Sequence, residues 1–160
     1  MRRPPLRALI ERLRADGFTL PAGVNVTIEQ FGHGPDMMRD LGELVRAGLK
    51  QASTGLAAEW EADGDPLPRV GDAEIVVDAD GEPLAVVEVT EVRTVAFGEV
   101  DEAFARAEGE GDRSLSWWRD AHRRYFAPIC ERLGQPLDDA TPLICRRFRL
   151  LHAVSARSAR

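Results

Sequence analysis

Cysteine is scarce in this chain of 160 residues: Cys130 and Cys145 are the only two. Their spacing fits neither a zinc motif nor a C-x-x-C redox pair, so both read as reduced, mostly buried thiols. Histidine is scarce as well. His33, His122 and His152 are scattered, and no H-E-x-x-H or similar metal pattern is present. Long apolar runs are missing. No segment approaches the roughly 18 apolar residues of a membrane span, and the basic start Met1-Arg2-Arg3-Pro4-Pro5 is not followed by the apolar stretch of a secretory signal. The expected location is the cytoplasm, with no membrane partner. Excess positive charge is also absent: the formal net charge is -6 and the pI about 5.1. Phosphate contacts supply most of the affinity of a general nucleic-acid binder. An acidic chain cannot coat a duplex, so no DNA duplex is expected, and any RNA must be met through a local patch or a pocket for one unpaired nucleotide.

What is present is an ordinary globular composition, 44% apolar and 30% charged, with a length suited to one domain. Leu6, Ile10 and Leu13 recur at helical spacing over residues 5–15, and Gly17 ends that helix. Alternation of Val24, Val26 and Ile28 predicts a strand over 24–31. Pro35 opens a second helix with the apolar stripe Met38, Leu41, Leu44 and Val45, and Gly48 caps it. After an unassigned segment, Leu49 to Gly55, comes a short helical piece around Glu59, Trp60 and Glu61. Strands are expected over Glu74 to Asp78 and Leu84 to Val95, joined by an Asp78-Ala79-Asp80-Gly81 hairpin turn. Glu99 to Ala107 reads as helix, Ser114 as the N-cap of a helix to about Leu133, and Pro142 to His152 as a last strand. The tail Ser155 to Arg160 is polar and expected to fray. The strand-rich middle lacks alternating β and α units, which argues against a doubly wound sheet. The expected fold is α+β, a partly closed β-barrel with flanking helices.

Three places carry residue types suited to chemistry. In Gly48-Leu49-Lys50-Gln51-Ala52-Ser53-Thr54, a lysine precedes a hydroxyl by three residues. Burial would depress the lysine pKa and let it take a proton from that hydroxyl; the plain alternative is a solvated lysine after a helix cap. In Glu108-Gly109-Glu110-Gly111-Asp112-Arg113-Ser114, carboxylates crowd beside a helix start. They suit a general acid or oxygen ligands for Mg²⁺, or simply a solvated acidic loop. No dedicated metal site is predicted and no cofactor is required, with Mg²⁺ the one candidate. In Ser114 to Tyr125, Trp117 and Trp118 point about 100° apart on a helix, so at most one lies fully in the core. The other is able to stack on a base, and Arg119, Arg123 and Arg124 are able to meet phosphate.

Taken in order, Phe31-Gly32-x-Gly34-Pro35, Gly48-x-Lys50, Glu59-Trp60-Glu61, Gly64-Asp65-Pro66-Leu67-Pro68-x-Val70-Gly71-Asp72, Glu88-Val89-Thr90-Glu91-Val92, the block Ala107 to Arg119 and Cys145-x-Arg147-Phe148 resemble the ASCH domain. The resemblance covers about residues 29–152. It leaves residues 1–28 as an N-terminal helix and lead-in strand, and 153–160 as a tail. It implies a PUA-like barrel with a cleft that handles single-stranded RNA or a nucleoside-like ligand. Some members of the family are proposed RNA-binding modules, one branch is a ribonuclease, and another removes the acetyl group of N4-acetylcytidine through a K-x-x-T motif and a glutamate. Lys50 matches that lysine, Ser53 falls at its threonine, and Glu108 or Glu110 falls at its glutamate. By the same resemblance Glu59, Trp60, Asp112, Arg113, Ser114, Trp117, Trp118 and Arg119 are expected at the ligand. A non-catalytic RNA-, ligand- or partner-binding module is the alternative.

Overall fold

The structure is a computed structural model that describes residues 5–155. The tail expected beyond residue 155 lies outside the described residues. The elements are helices α1 (Leu6–Ala15), α2 (Pro35–Arg46), α3 (Ala57–Asp63), α4 (Glu102–Glu108) and α5 (Leu115–Leu133), and strands β1 (Val26–Glu29), β2 (Ala52–Leu56), β3 (Ala73–Val77), β4 (Pro83–Ala96) and β5 (Pro142–Ala153). A 3-10 turn, Phe97–Glu99, follows β4. Among the described residues no helix is long and apolar enough to cross a membrane.

The strands form one mixed sheet in the order β1-β3-β4-β5-β2. β1 pairs with β3 in parallel, and the remaining neighbours are antiparallel. The hairpin turn forms as expected, with Asp78 N–H on the Glu82 carbonyl and Gly81 N–H on the Asp78 carbonyl. The expected barrel does not close: among the described residues β1 and β2 share no ladder. Register shifts near Val86 and Val89 break the long β4–β5 ladder, and such bulges bend and twist a sheet. The two edge strands line one cavity, so they face each other across a cleft rather than pairing.

β2 is the element that sequence patterning left unassigned. Ala-Ser-Thr-Gly-Leu has no apolar alternation, and Thr54 is its one β-branched residue. It becomes a strand because β5 offers a free edge, pairing Ser53 with Arg146 and Thr54 with Cys145.

Side-chain alternation divides the core. On β3, Ala73, Ile75 and Val77 pack with Leu9 and Leu13 of α1. The N-terminal helix is thus part of the core. Glu74 and Val76 point the other way, where Val76 joins Phe31, Val45 of α2 and Phe148. On β5, Leu143 and Cys145 pack with Phe104, Trp118, Phe126 and Ile129 of α4 and α5, while Arg146 and Phe148 take the opposite face.

The segment after α2 is fastened to the end of α4. Gln51 N–H donates to the Ala107 carbonyl at 2.7 Å. Gly109, left-handed at φ 72, lies so close that a Cβ there would collide with the Leu49 carbonyl and sit 3.1 Å from the Lys50 Cα. Gly109→Ala is therefore expected to cost about 2 kcal/mol or more, from strain and from backbone collision. Urea unfolding of the two proteins checks this.

Candidate functional site

The fastening of residues 49–51 to 107–109 brings Lys50 to Glu108. Lys50, the only lysine of the sequence, is 2% exposed, and Glu108 is 1% exposed. The ammonium donates to Glu108 Oε1 at 2.9 Å, to Glu110 Oε2 at 3.1 Å and to the Ala52 carbonyl at 2.8 Å. It also lies 5.5 Å from the Phe31 ring centroid. All three ammonium hydrogens thus have partners. Glu108 Oε2 accepts from the Thr54 hydroxyl at 2.8 Å and from the Trp118 indole N–H, with His122 Nε2 at 3.3 Å.

These contacts set the charges. Burial disfavours the Lys50 ammonium, but the carboxylates of Glu108 and Glu110 outweigh it and hold its pKa above the ordinary value. The expectation of a lysine depressed into a base for Ser53 is therefore corrected: here Lys50 is a cation and hydrogen-bond donor. Burial pushes Glu108 up, but Lys50, His122 and Trp118 together hold it well below the usual carboxylate range. Glu110 goes the other way. Burial prevails over Lys50, aided by the charge of Glu108, and its pKa is raised. His122 Nδ1 faces the Trp118 carbonyl at 2.8 Å and Nε2 faces Glu108. Both ring nitrogens meet acceptors, which favours the imidazolium. Burial opposes that form, yet Glu108 and Glu110 leave the His122 pKa raised.

Ser53 lines the same cavity as Lys50 but is not the hydroxyl bonded to the cluster. Cross-strand partners share a side of the sheet, so Thr54 sides with Cys145 and meets Glu108, while Ser53 sides with Arg146. Among the described residues the Ser53 side chain has no hydrogen-bond partner. Sequence reasoning missed Thr54 and His122. The signal for His122 was its position four residues after Trp118, on the same helical face.

A cavity of about 510 Å³ opens over this cluster. Lys50, Glu108, Glu110, His122 and Ser53 line it, with Trp117, Tyr125 and Phe31 as aromatic walls. That size suits a nucleoside-scale ligand. The loop places Trp117 there: Gly111, at φ 59, tucks beneath the indole, where a Cβ would clash. Several expected ligand contacts fall elsewhere. Trp118 is 1% exposed in the core, held there by its indole bond to Glu108. Ser114 caps α5 through Trp117 N–H, and Asp112 binds Ser114 N–H. Arg113 is exposed at the turn, at φ 66. Arg119 reaches back to the Gly98 carbonyl at 3.2 Å. None of these five lines the cavity; they build the loop and the start of the helix. Glu59 and Trp60 line a neighbouring cavity.

Among the described residues, Glu108, Glu110 and His122 are the group able to offer three ligand atoms within 4.8 Å of one another. The Lys50 ammonium already lies against both carboxylates, so a divalent ion would have to displace it. Asp112 is turned away to Ser114.

This curled sheet, with a buried lysine–glutamate cluster on a cleft, defines an ASCH-type α+β domain. The ASCH domain family model matches residues 27–152, and the chain belongs to that family. It is similar to the ASCH domain of Lactobacillus crispatus JV V101, with 29% identity and TM-score 0.75 over 91% of this chain and 90% of that one. A protein of Enterococcus faecalis V583 has the same fold, with 24% identity and TM-score 0.75 over 91% of this chain and 87% of that one. No curated protein matches the chain.

Two outcomes follow from the cluster. Lys50→Met leaves Glu108 and Glu110 buried without their cation, and is expected to destabilise by about 3–5 kcal/mol in chemical denaturation. His122, with its folded pKa raised, contributes stability that is full below its ordinary value of 6.5 and is lost as pH rises through the folded value. Unfolding free energy measured from about pH 5.5 to 8.5 should carry this loss in the wild type and lack it in His122→Phe.

Proposed function

We propose that this ASCH domain is a hydrolase of a nucleoside-sized N-acylated amine, bound in the cavity over Lys50. The observation that supports this most directly is the buried ammonium shared by two glutamates whose pKa values are driven apart. Pairs of that kind mark acid–base sites. Glu108, saturated with donors, holds Lys50 and Thr54 in place. Glu110 has the raised pKa, a side chain 15% exposed and a place on the cavity wall. It takes a proton from the attacking water and returns it to the departing amine. Lys50 beside it stabilises negative charge developing on the carbonyl oxygen. Trp117 and Tyr125 offer ring faces to a base. The bond between carbonyl carbon and nitrogen breaks, one water is consumed, and a carboxylic acid and an amine result.

The family's link to RNA supports single-stranded RNA as the second reading. The net charge of -6 weighs against a long strand and toward a small ligand.

The test is to incubate the protein with N4-acetylcytidine and, separately, with single-stranded RNA, and to follow products by chromatography. N4-acetylcytidine should be deacetylated. Glu110→Gln should lower the rate about 10²–10⁴-fold with an unchanged circular dichroism spectrum. Full turnover in Glu110→Gln sinks the assignment. Binding without product in the wild type replaces it with a capture module.

A further inference from the structure

Beside the reactive cavity lies a second chamber of about 400 Å³, with Phe31, Gly32, Ser53, Thr54 and Tyr125 lining both. The two adjoin, so one ligand is able to span them. The buried and half-buried charges of the second chamber are already paired. Glu29 and Glu74 share Arg146, at 3.5 and 3.0 Å. Glu59 meets Arg132 at 3.4 Å. Asp72 accepts from the Asn25 amide at 3.2 Å and from the Arg69 backbone N–H at 2.9 Å.

Neutral donors are left over. Ser53 is 8% exposed and lines both cavities, yet its hydroxyl has no partner among the described residues, where buried hydroxyls are ordinarily bonded. It stands opposite Arg146, on the side of the sheet that faces the chamber. The Tyr125 hydroxyl lacks a partner among the described residues as well, and Tyr125 also lines both cavities. Its ring is held from two sides, stacked on His33 at 4.6 Å and edge-on to Phe126 at 5.6 Å between centroids. Burial, with the charges of Glu59 and Glu110, pushes its pKa up to about 12, so the phenol keeps its proton and donates. The Trp60 indole N–H is a third donor without an acceptor among the described residues. It lies on the chamber wall against Gly55, where a Cβ would meet the indole nitrogen at 3.0 Å. Thr54 differs from these three, because its hydroxyl is given to Glu108.

Three neutral donors suit a part of a ligand that is rich in oxygen and uncharged. An apolar group there would leave each donor without a bond. A sugar carries several hydroxyls on one ring, and each hydroxyl both accepts and donates. We propose that the second chamber is the sugar subsite of an N-acylated nucleoside, where Ser53, Tyr125 and Trp60 hydrogen-bond the ribose while the acylated base lies over Lys50 and Glu110. The placement of the acyl group rests on the hydrolase reading; recognition of the sugar does not.

The probes are cytidine and cytosine, which differ by the ribose and carry no acyl group to hydrolyse. Each is titrated into the protein by calorimetry. Cytidine is expected to bind about tenfold more tightly than cytosine. Ser53→Ala and Tyr125→Phe each remove one oxygen and keep the packing. Each should weaken cytidine by about three- to tenfold and leave cytosine unchanged. Equal affinities in the wild type, tighter binding of cytosine, or no binding of either probe overturns the proposal. So does full cytidine affinity in the double variant. The two readings fail separately. A protein that prefers cytidine through these hydroxyls but deacetylates nothing keeps the subsite and loses the reaction. One that deacetylates N4-acetylcytidine and N4-acetylcytosine with the same KM keeps the reaction and loses the subsite.

Discussion

Glu108 is the residue on which the arrangement depends. One carboxylate gathers a lysine from the segment after α2, a threonine from β2, and a tryptophan and a histidine from α5. A buried carboxylate is costly unless its lone pairs are filled, and here the filling comes from parts of the chain far apart in sequence. The same bonds that satisfy the charge hold the long helix against the edge strand. They also fix the ammonium where the cavity ends. Packing and chemistry are therefore coupled at this point, and weakening one weakens the other.

Phe31 divides the interior into two electrostatic compartments. The Lys50 ammonium and the Arg146 guanidinium approach its ring at 5.5 and 5.6 Å. Each cation is held by its own pair of glutamates. Strand alternation produces this division: Thr54 and Cys145 look toward α5, while Ser53, Arg146 and Glu74 look toward the cleft between the edge strands. A sheet that closed into a full barrel would pair β1 with β2 and remove the second chamber. The open edges therefore leave space as well as a shape.

Much of the fold was legible in the residues. The helical spacing of Leu6, Ile10 and Leu13, the Pro35 start, the Ser114 cap and the β-branched runs of β3 and β4 state their conformations locally, because capping and periodicity act over a few residues. Which face of α1 turns inward was not legible: Leu9 and Leu13 are buried, while Leu6 is exposed. β2 was not legible, since Ala52 to Leu56 has no strand pattern of its own and depends on β5. The ligand roles expected of Asp112, Ser114, Trp118 and Arg119 show the converse. Polar and aromatic types near a helix start look alike whether they serve a ligand or the loop, and here they serve the loop.

By itself the sequence determined the helices, most of the strands and the family, and it singled out Lys50 and the acidic block, because these follow from short-range pattern and from motif order. Only the tertiary structure decided which hydroxyl faces the glutamate, that the lysine is held as a cation rather than released as a base, and that His122 joins it. Those outcomes depend on cross-strand register and on charges brought together from distant segments, and no local pattern encodes either.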